Sequence, residues 1–140
     1  MPELPETETI ARDLDAAIVG ATVADVAVPR PSVLRGVDAA ALAARTSGAR
    51  VTRVWRRAKL VVVDLSSGDR LAVQPRFTGA LLLEDAAGAL LAERERGFVR
   101  VTFRLADGRA LHYRDIRCLG TVALLAPAEF EAYVATLGPE

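Results

Sequence analysis

Ile10, Leu14, Ala17 and Ile18 recur at three- and four-residue intervals, which predicts an amphipathic helix over about residues 5–19. Pro5 suits the first turn of such a helix, Glu6 and Glu8 suit its positive end, and Gly20 suits its terminus. Asp13, Asp15 and Arg12 fall off the apolar stripe. Beyond Gly20 the period shortens. Residues 21–28 read as a strand stopped by Pro29-Arg30-Pro31, and Val37–Arg45 as a short alanine-rich helix. Strand-like runs follow at 50–57, 59–66, 70–75 and 80–84, with Ser66-Ser67-Gly68-Asp69 as a turn between two of them. The clearest alternation puts Val99, Val101, Phe103 and Leu105 inward and Arg100, Thr102 and Arg104 outward. Asp107-Gly108 then fits a tight hairpin into a strand near 109–113. Residues 121–125 read as a last strand and Pro127–Leu137 as a closing helix, while 85–97 reads as a mobile loop.

About eight strands with a helix at each end, and no alternation of strand and helix, predict an α+β fold. The expectation is a mainly antiparallel β-sandwich flanked by an N-terminal and a C-terminal helix. With 140 residues there is room for one domain, and 51% hydrophobic with 26% charged residues is the balance of a folded soluble protein. No apolar run approaches the ~20 residues that span a bilayer. Glu3, Glu6, Glu8, Asp13 and Asp15 are incompatible with a signal peptide. The single cysteine, Cys118, excludes an intrachain disulfide and any cysteine-rich zinc site within this chain, and points to a reducing cytoplasm.

Formal net charge is zero, which argues against a strongly basic nucleic-acid binder, but the distribution is uneven. Acids crowd residues 3–15, whereas bases crowd Arg53, Arg56, Arg57 and Lys59 and then 94–117. Lys59 is the sole lysine. At the start of the chain, the small Pro2 permits removal of Met1 and leaves a secondary amine beside Glu3 and Glu6. A terminal amine titrates near pH ~8, so a fraction is free base at neutrality and can attack an electrophilic sugar carbon to form an iminium ion. Glu3 and Glu6, three apart, are placed to move protons around it. Proline at position 2 and acids at a helix start are also ordinary features, and they leave the reading open at this point.

The string MPELPETE resembles the N-terminal motif of the formamidopyrimidine-DNA glycosylases, and Leu4 stands where the related endonuclease VIII branch usually has glycine. The resemblance continues in order along the chain. Arg56-Arg57-Ala58-Lys59 looks like the family's basic hairpin, and Gln74-Pro75-Arg76-Phe77-Thr78-Gly79 like the turn that carries an intercalating side chain. Tyr113-Arg114-Asp115-Ile116-Arg117-Cys118-Leu119-Gly120 is similar to the family's Asp-Pro-Arg-Arg-Phe-Gly loop, with Ile116 for proline, Cys118 for arginine and Leu119 for phenylalanine. By this resemblance the catalytic residues are Pro2, Glu3, Glu6 and Lys59, the last holding a phosphate near the lesion. DNA contacts fall to Arg57, to the wedges Phe77 and Leu119, and to Arg117 at the orphaned base.

The mechanism so implied rotates a damaged nucleotide out of duplex DNA while Phe77, Arg117 and Leu119 fill the gap. Pro2 attacks C1′, the damaged base leaves, and the Schiff base acidifies the neighbouring sugar hydrogens so that the 3′ and then the 5′ phosphate are eliminated. Damaged double-stranded DNA is the implied partner, with no membrane and no protein partner. The implied setting is the bacterial cytoplasm, associated with the nucleoid. Residues 1–140 read as the N-terminal catalytic domain, ending in a Leu-Gly-Pro-Glu string like the one that closes that domain in the family. The helix–two-turn–helix and zinc-finger domains are absent, so no cofactor is expected in this chain, zinc only in the missing C-terminal part, and weak DNA binding with little or no excision. Two alternatives remain: a non-catalytic damaged-DNA-binding module, and, more remotely, a tautomerase using its N-terminal proline as a base. Tautomerases of that kind run directly from the proline into a strand.

Overall fold

The computed structural model describes residues 4–85 and 97–137, the side chains of Leu4 and Pro5 excepted. Its elements in chain order are α1 (Leu4–Ile18), β1 (Val23–Ala27), a 3₁₀ turn (Pro31–Val33), β2 (Leu34–Arg35), α2 (Ala39–Thr46), β3 (Val51–Arg57), β4 (Leu60–Leu65) and β5 (Arg70–Gln74). They continue with β6 (Gly79–Glu84), β7 (Val99–Leu105), β8 (Ala110–Asp115), β9 (Thr121–Leu125) and α3 (Pro127–Ala135). The predicted mobile loop lies, from 86 to 96, outside the described residues.

Two sheets face one another. One has the order β2-β9-β5-β4-β3 and the other β1-β7-β8-β6. Every pairing is antiparallel except the short parallel match of β2 with β9, where Leu34 lies opposite Val122. Val54, Val61, Val63, Leu71, Val73, Val122 and Leu124 from the first sheet meet Val101, Phe103, Leu105, Leu111 and Tyr113 from the second in one core. α1 adds Ala11, Leu14 and Ile18 to it. On the outer face of the first sheet, Phe130 and Val134 of α3 cover Leu60, Val62, Ala72 and Ala123. The unbroken apolar run Leu60–Val63 follows directly, because β4 is buried on both faces.

The flanked sandwich matches the expectation, with four differences. First, the described residues hold nine strands rather than about eight. The extra one, β2, has two residues, too few for any period to register. Second, the buried stripe of α1 runs Thr7, Ala11, Leu14, Ile18, and Ala17 is exposed. Third, Thr102 is buried because its hydroxyl meets the Nδ1 of His112 at 2.8 Å on the outer face of the second sheet. Fourth, Arg100 is buried because β7 carries a bulge there: Val99 pairs with Arg114 and Val101 already with Tyr113. The extra residue is turned from its regular direction towards the end of β8. No helix among the described residues is long and apolar enough to cross a membrane.

Candidate functional site

Strand register brings the sequence-predicted residues to one end of the molecule. Arg56, Val61, Val73, Val122 and Leu34 form a single row across the first sheet. One residue beyond that row lie Arg57 and Leu60, which close the β3–β4 turn, and the pair Gln74–Thr121. In the second sheet Gly79 pairs with Asp115, so β6 begins and β8 ends there too. α1 runs antiparallel to β3: Gly20 donates to the Val51 carbonyl, Asp15 accepts from the Val54 amide, and Glu8 reaches Arg56 at 3.4 Å. The first turn of α1, with Glu6 exposed on it, therefore sits at the end that carries Lys59, Phe77, Arg117 and Leu119. Pro2 and Glu3 lie outside the described residues.

In the β3–β4 turn, Ala58 has φ 54° and Arg56 Nη1 donates to its carbonyl at 2.9 Å, while Lys59 is half-buried at the tip. Arg57 makes a bidentate pair with Glu131 of α3, at 3.0 and 2.8 Å. A phosphate contact by Arg57 thus requires exchange of Glu131. That exchange is cheap, since an exposed pair contributes only ~0–1 kcal/mol.

The two loops at 75–78 and 116–120 form the most distinctive part. Among the described residues the large apolar side chains left exposed are Val19, Phe77, Ile116 and Leu119, and all but Val19 sit on these loops. Phe77 is 52% exposed at φ 51°, which settles its position outside the core, and Leu119 is 40% exposed. The Arg117 guanidinium carbon stands 5.4 Å from the centre of the Phe77 ring. Arg117 and Phe77 therefore form one cluster, with Leu119 exposed two residues further along the same loop.

Asp115, fully buried, ties the loops together. Its carboxylate accepts from the Tyr113 hydroxyl at 2.7 Å, the Thr78 hydroxyl at 2.9 Å and the Gly120 amide at 2.9 Å. The Thr78 oxygen in turn accepts from the Arg117 amide at 3.0 Å. Burial alone raises the Asp115 carboxyl, but the bonds from Gly120, Tyr113, Thr78 and the Cys118 amide outweigh it and hold the group below its ordinary value. Burial, reinforced by the bond to Asp115, pushes the Tyr113 phenol far above its ordinary value. Gly79 and Gly120 allow this closeness. A Cβ at Gly120 would collide with the Tyr113 hydroxyl and lie 2.5 Å from the Gln74 carbonyl oxygen, and one at Gly79 would lie 2.7 Å from that hydroxyl.

The sequence resemblance assigns no role to Asp115 or Tyr113, which precede the loop in the 113–120 string; an acid immediately before an exposed loop is the available signal. The helix beginning at Leu4 does not fit a tautomerase, which needs a strand there.

Residues 1–122 match the family described as the formamidopyrimidine-DNA glycosylase N-terminal domain. A formamidopyrimidine-DNA glycosylase of Methylobacterium sp. (strain 4-46) is 39% identical over 94% of this chain and 47% of its own length. One from Roseobacter denitrificans is 36% identical over the whole chain and 51% of its own. The structure superimposes on Lactococcus lactis Fpg in complex with FAPY-dG-containing DNA with a TM-score of 0.84, at 27% identity, covering 96% of this chain and 48% of that one. The same protein bound to DNA containing an abasic site gives the same score. The chain spans about half the length of the curated relatives it matches.

Proposed function

The chain belongs to the formamidopyrimidine-DNA glycosylase family, and we propose that it forms the nucleophile-bearing and wedge-bearing half of a glycosylase and abasic-site lyase acting on oxidised purines in duplex DNA. One observation carries this reading: an exposed apolar pair and an arginine, braced by a buried carboxylate, share one end of the fold with the first turn of α1 and the Lys59 turn. An apolar side chain displayed in water on a rigid loop has a use if it enters a base stack, where it offsets the few kcal/mol lost on unstacking. Arg117 adds a planar donor fork for the base left unpaired.

In this reading Phe77 and Leu119 wedge the duplex open and Lys59 holds a backbone phosphate. Pro2 stands two residues before Leu4, a reach of at most ~7 Å from the helix start. As a free secondary amine it attacks C1′ and the glycosidic bond breaks with its electron pair on the base; the nitrogen then loses its proton and its lone pair opens the C1′–O4′ bond, O4′ taking up a proton, which leaves an iminium ion. Glu3 and Glu6 move protons at the opening sugar, after which loss of a sugar proton expels the 3′ phosphate and then the 5′ phosphate. This chemistry consumes no cofactor in this chain. Damaged duplex DNA is the partner, and the cytoplasm, at the nucleoid, is the setting.

Borohydride reduction in the presence of abasic DNA tests the reading. The chain joined to the C-terminal half of a matching relative is expected to give a covalent adduct mapping to Pro2, and the chain alone little or none. None is expected when Met1 is retained, because the proline nitrogen is then an amide. Absence of an adduct from the Met1-free joined protein would leave a non-catalytic binding module in its place.

A further inference from the structure

Arg100 is unused by the chemistry above, yet it is a charged side chain buried in the fold. It is 8% exposed, and among the described residues it makes no ion pair. Its partners are two carbonyl oxygens and, 5.8 Å from its guanidinium carbon, the Phe98 ring. A guanidinium taken out of water and met by neutral groups is a poor way to stabilise a sandwich, and an apolar residue of similar volume commonly does better. The bulge that turns Arg100 out of the regular alternation is a second local departure made for the same side chain.

The two carbonyls are consecutive and stand where β8 becomes the exposed loop. Nε donates to the Asp115 carbonyl at 2.8 Å and Nη2 to the Ile116 carbonyl at 3.3 Å. The second bond matters most. The peptide unit between Ile116 and Arg117 has its carbonyl bound by Arg100 and its N–H bound, at 3.0 Å, by the Thr78 hydroxyl. Both ends of that unit are fixed, and with them the direction in which the Arg117 side chain leaves the backbone. Ile116, unlike a proline, does not lock φ, so the hydrogen bonds add to the constraint on this unit.

We propose that Arg100 is a positioning residue for Arg117, gripping the backbone of the 116–120 loop from within the fold so that Arg117 meets the unpaired base at a fixed angle. This rests on the DNA-wedge reading above for its biological meaning, but the grip on the loop can be measured without DNA. Cys118 is the chain's only thiol and lies in the same loop, half-buried, which makes it a built-in reporter.

Arg100→Leu removes both bonds, and Arg100→Lys keeps the charge but not the fork. The first readout is the rate at which Cys118 reacts with a small disulfide reagent under native conditions. Losing two ordinary hydrogen bonds is expected to raise it roughly tenfold in Arg100→Leu, with a smaller rise in Arg100→Lys. The second is binding to abasic duplexes carrying each of the four bases opposite the lesion, where the wild-type preference is expected to flatten in both variants while non-specific duplex binding stays the same. An unchanged Cys118 rate in a folded Arg100→Leu chain overturns the proposal, as does a looser loop with an intact opposite-base preference. If Arg100→Leu fails to fold, Arg100→Lys decides on the same two readouts. If the wild-type chain shows no opposite-base preference, and Phe77→Ala and Leu119→Ala bind abasic DNA as it does, the wedge reading fails. The loop-anchoring role is then judged by Cys118 alone.

Discussion

Phe77 combines two properties that oppose folding, a large apolar surface in water and a left-handed backbone, φ 51°. For a residue with a Cβ that conformation costs about 1–2 kcal/mol, a cost that glycine escapes. Replacing Phe77 by glycine is therefore expected to stabilise the chain against urea by roughly 1 kcal/mol, while reducing its ability to unstack a duplex. Unfolding midpoints and the fluorescence of 2-aminopurine beside an abasic site check the two halves; a loss of stability in Phe77→Gly would mean the ring packs against the fold after all. Ala58, at φ 54°, and Cys118, at φ 54°, share the left-handed backbone. The three sit in the three turns of the candidate site and are the only such non-glycine residues among those described. Strain concentrated in this way is characteristic of sites held in one geometry by their surroundings.

At the scale of elements, the loops 75–78 and 116–120 behave as one unit because Asp115, Tyr113 and Thr78 tie them and two glycines let them approach. Gly120→Ala is expected to cost about 1–3 kcal/mol or more, since the new methyl group meets both the Tyr113 hydroxyl and the Gln74 carbonyl. Pairing it with Tyr113→Phe, which withdraws one of the two obstacles, should recover part of the loss in a double-mutant cycle; strict additivity would count against a shared contact. Much of this architecture was legible beforehand. The inward set Val99, Val101, Phe103 and Leu105 and the hairpin at Asp107-Gly108 follow from local pattern and stand in the structure, and Phe77 and Leu119 are exposed on their loops. What escaped was relational. Arg100 and Thr102 look like surface residues in an alternating string, because hydropathy does not register a hydrogen-bonding partner such as His112 or a pair of carbonyls. The burial of Asp115 depends on three donors from three separate positions in the chain. Neither β2 nor the occupation of Arg57 by Glu131 has any local signature, the first being two residues long and the second joining positions far apart in sequence.

For the molecule as a whole, the Asp115–Tyr113 pair sets limits on the pH range of stability. Asp115 is held below its unfolded value of about 3.9, so its contribution is complete above that pH and is lost as pH falls through the folded value. Tyr113 is raised above its unfolded value of about 10, so its contribution is complete below that pH and is lost as pH rises towards the folded value. Urea midpoints measured across this range should be steady at neutrality and fall on both sides. Asp115→Asn should flatten the acid limb and also shallow the alkaline one, because its carboxylate helps raise Tyr113, while Tyr113→Phe should remove the alkaline limb and shallow the acid one; an acid limb unaltered by Asp115→Asn would place the controlling carboxyl elsewhere. The parallel match of β2 to β9 has a consequence of another kind. β9 lies between β5 and β2 in its sheet and supplies Val122 and Leu124 to the core, yet it is among the last segments of this chain to be synthesised. On the ribosome the N-terminus emerges first, but the sheet that aligns the Lys59 turn with the 75–78 and 116–120 loops cannot close until residue 125 has cleared the exit tunnel. The segment proposed to carry the nucleophile is thus kept without an assembled site until translation has passed the strand that completes the sheet.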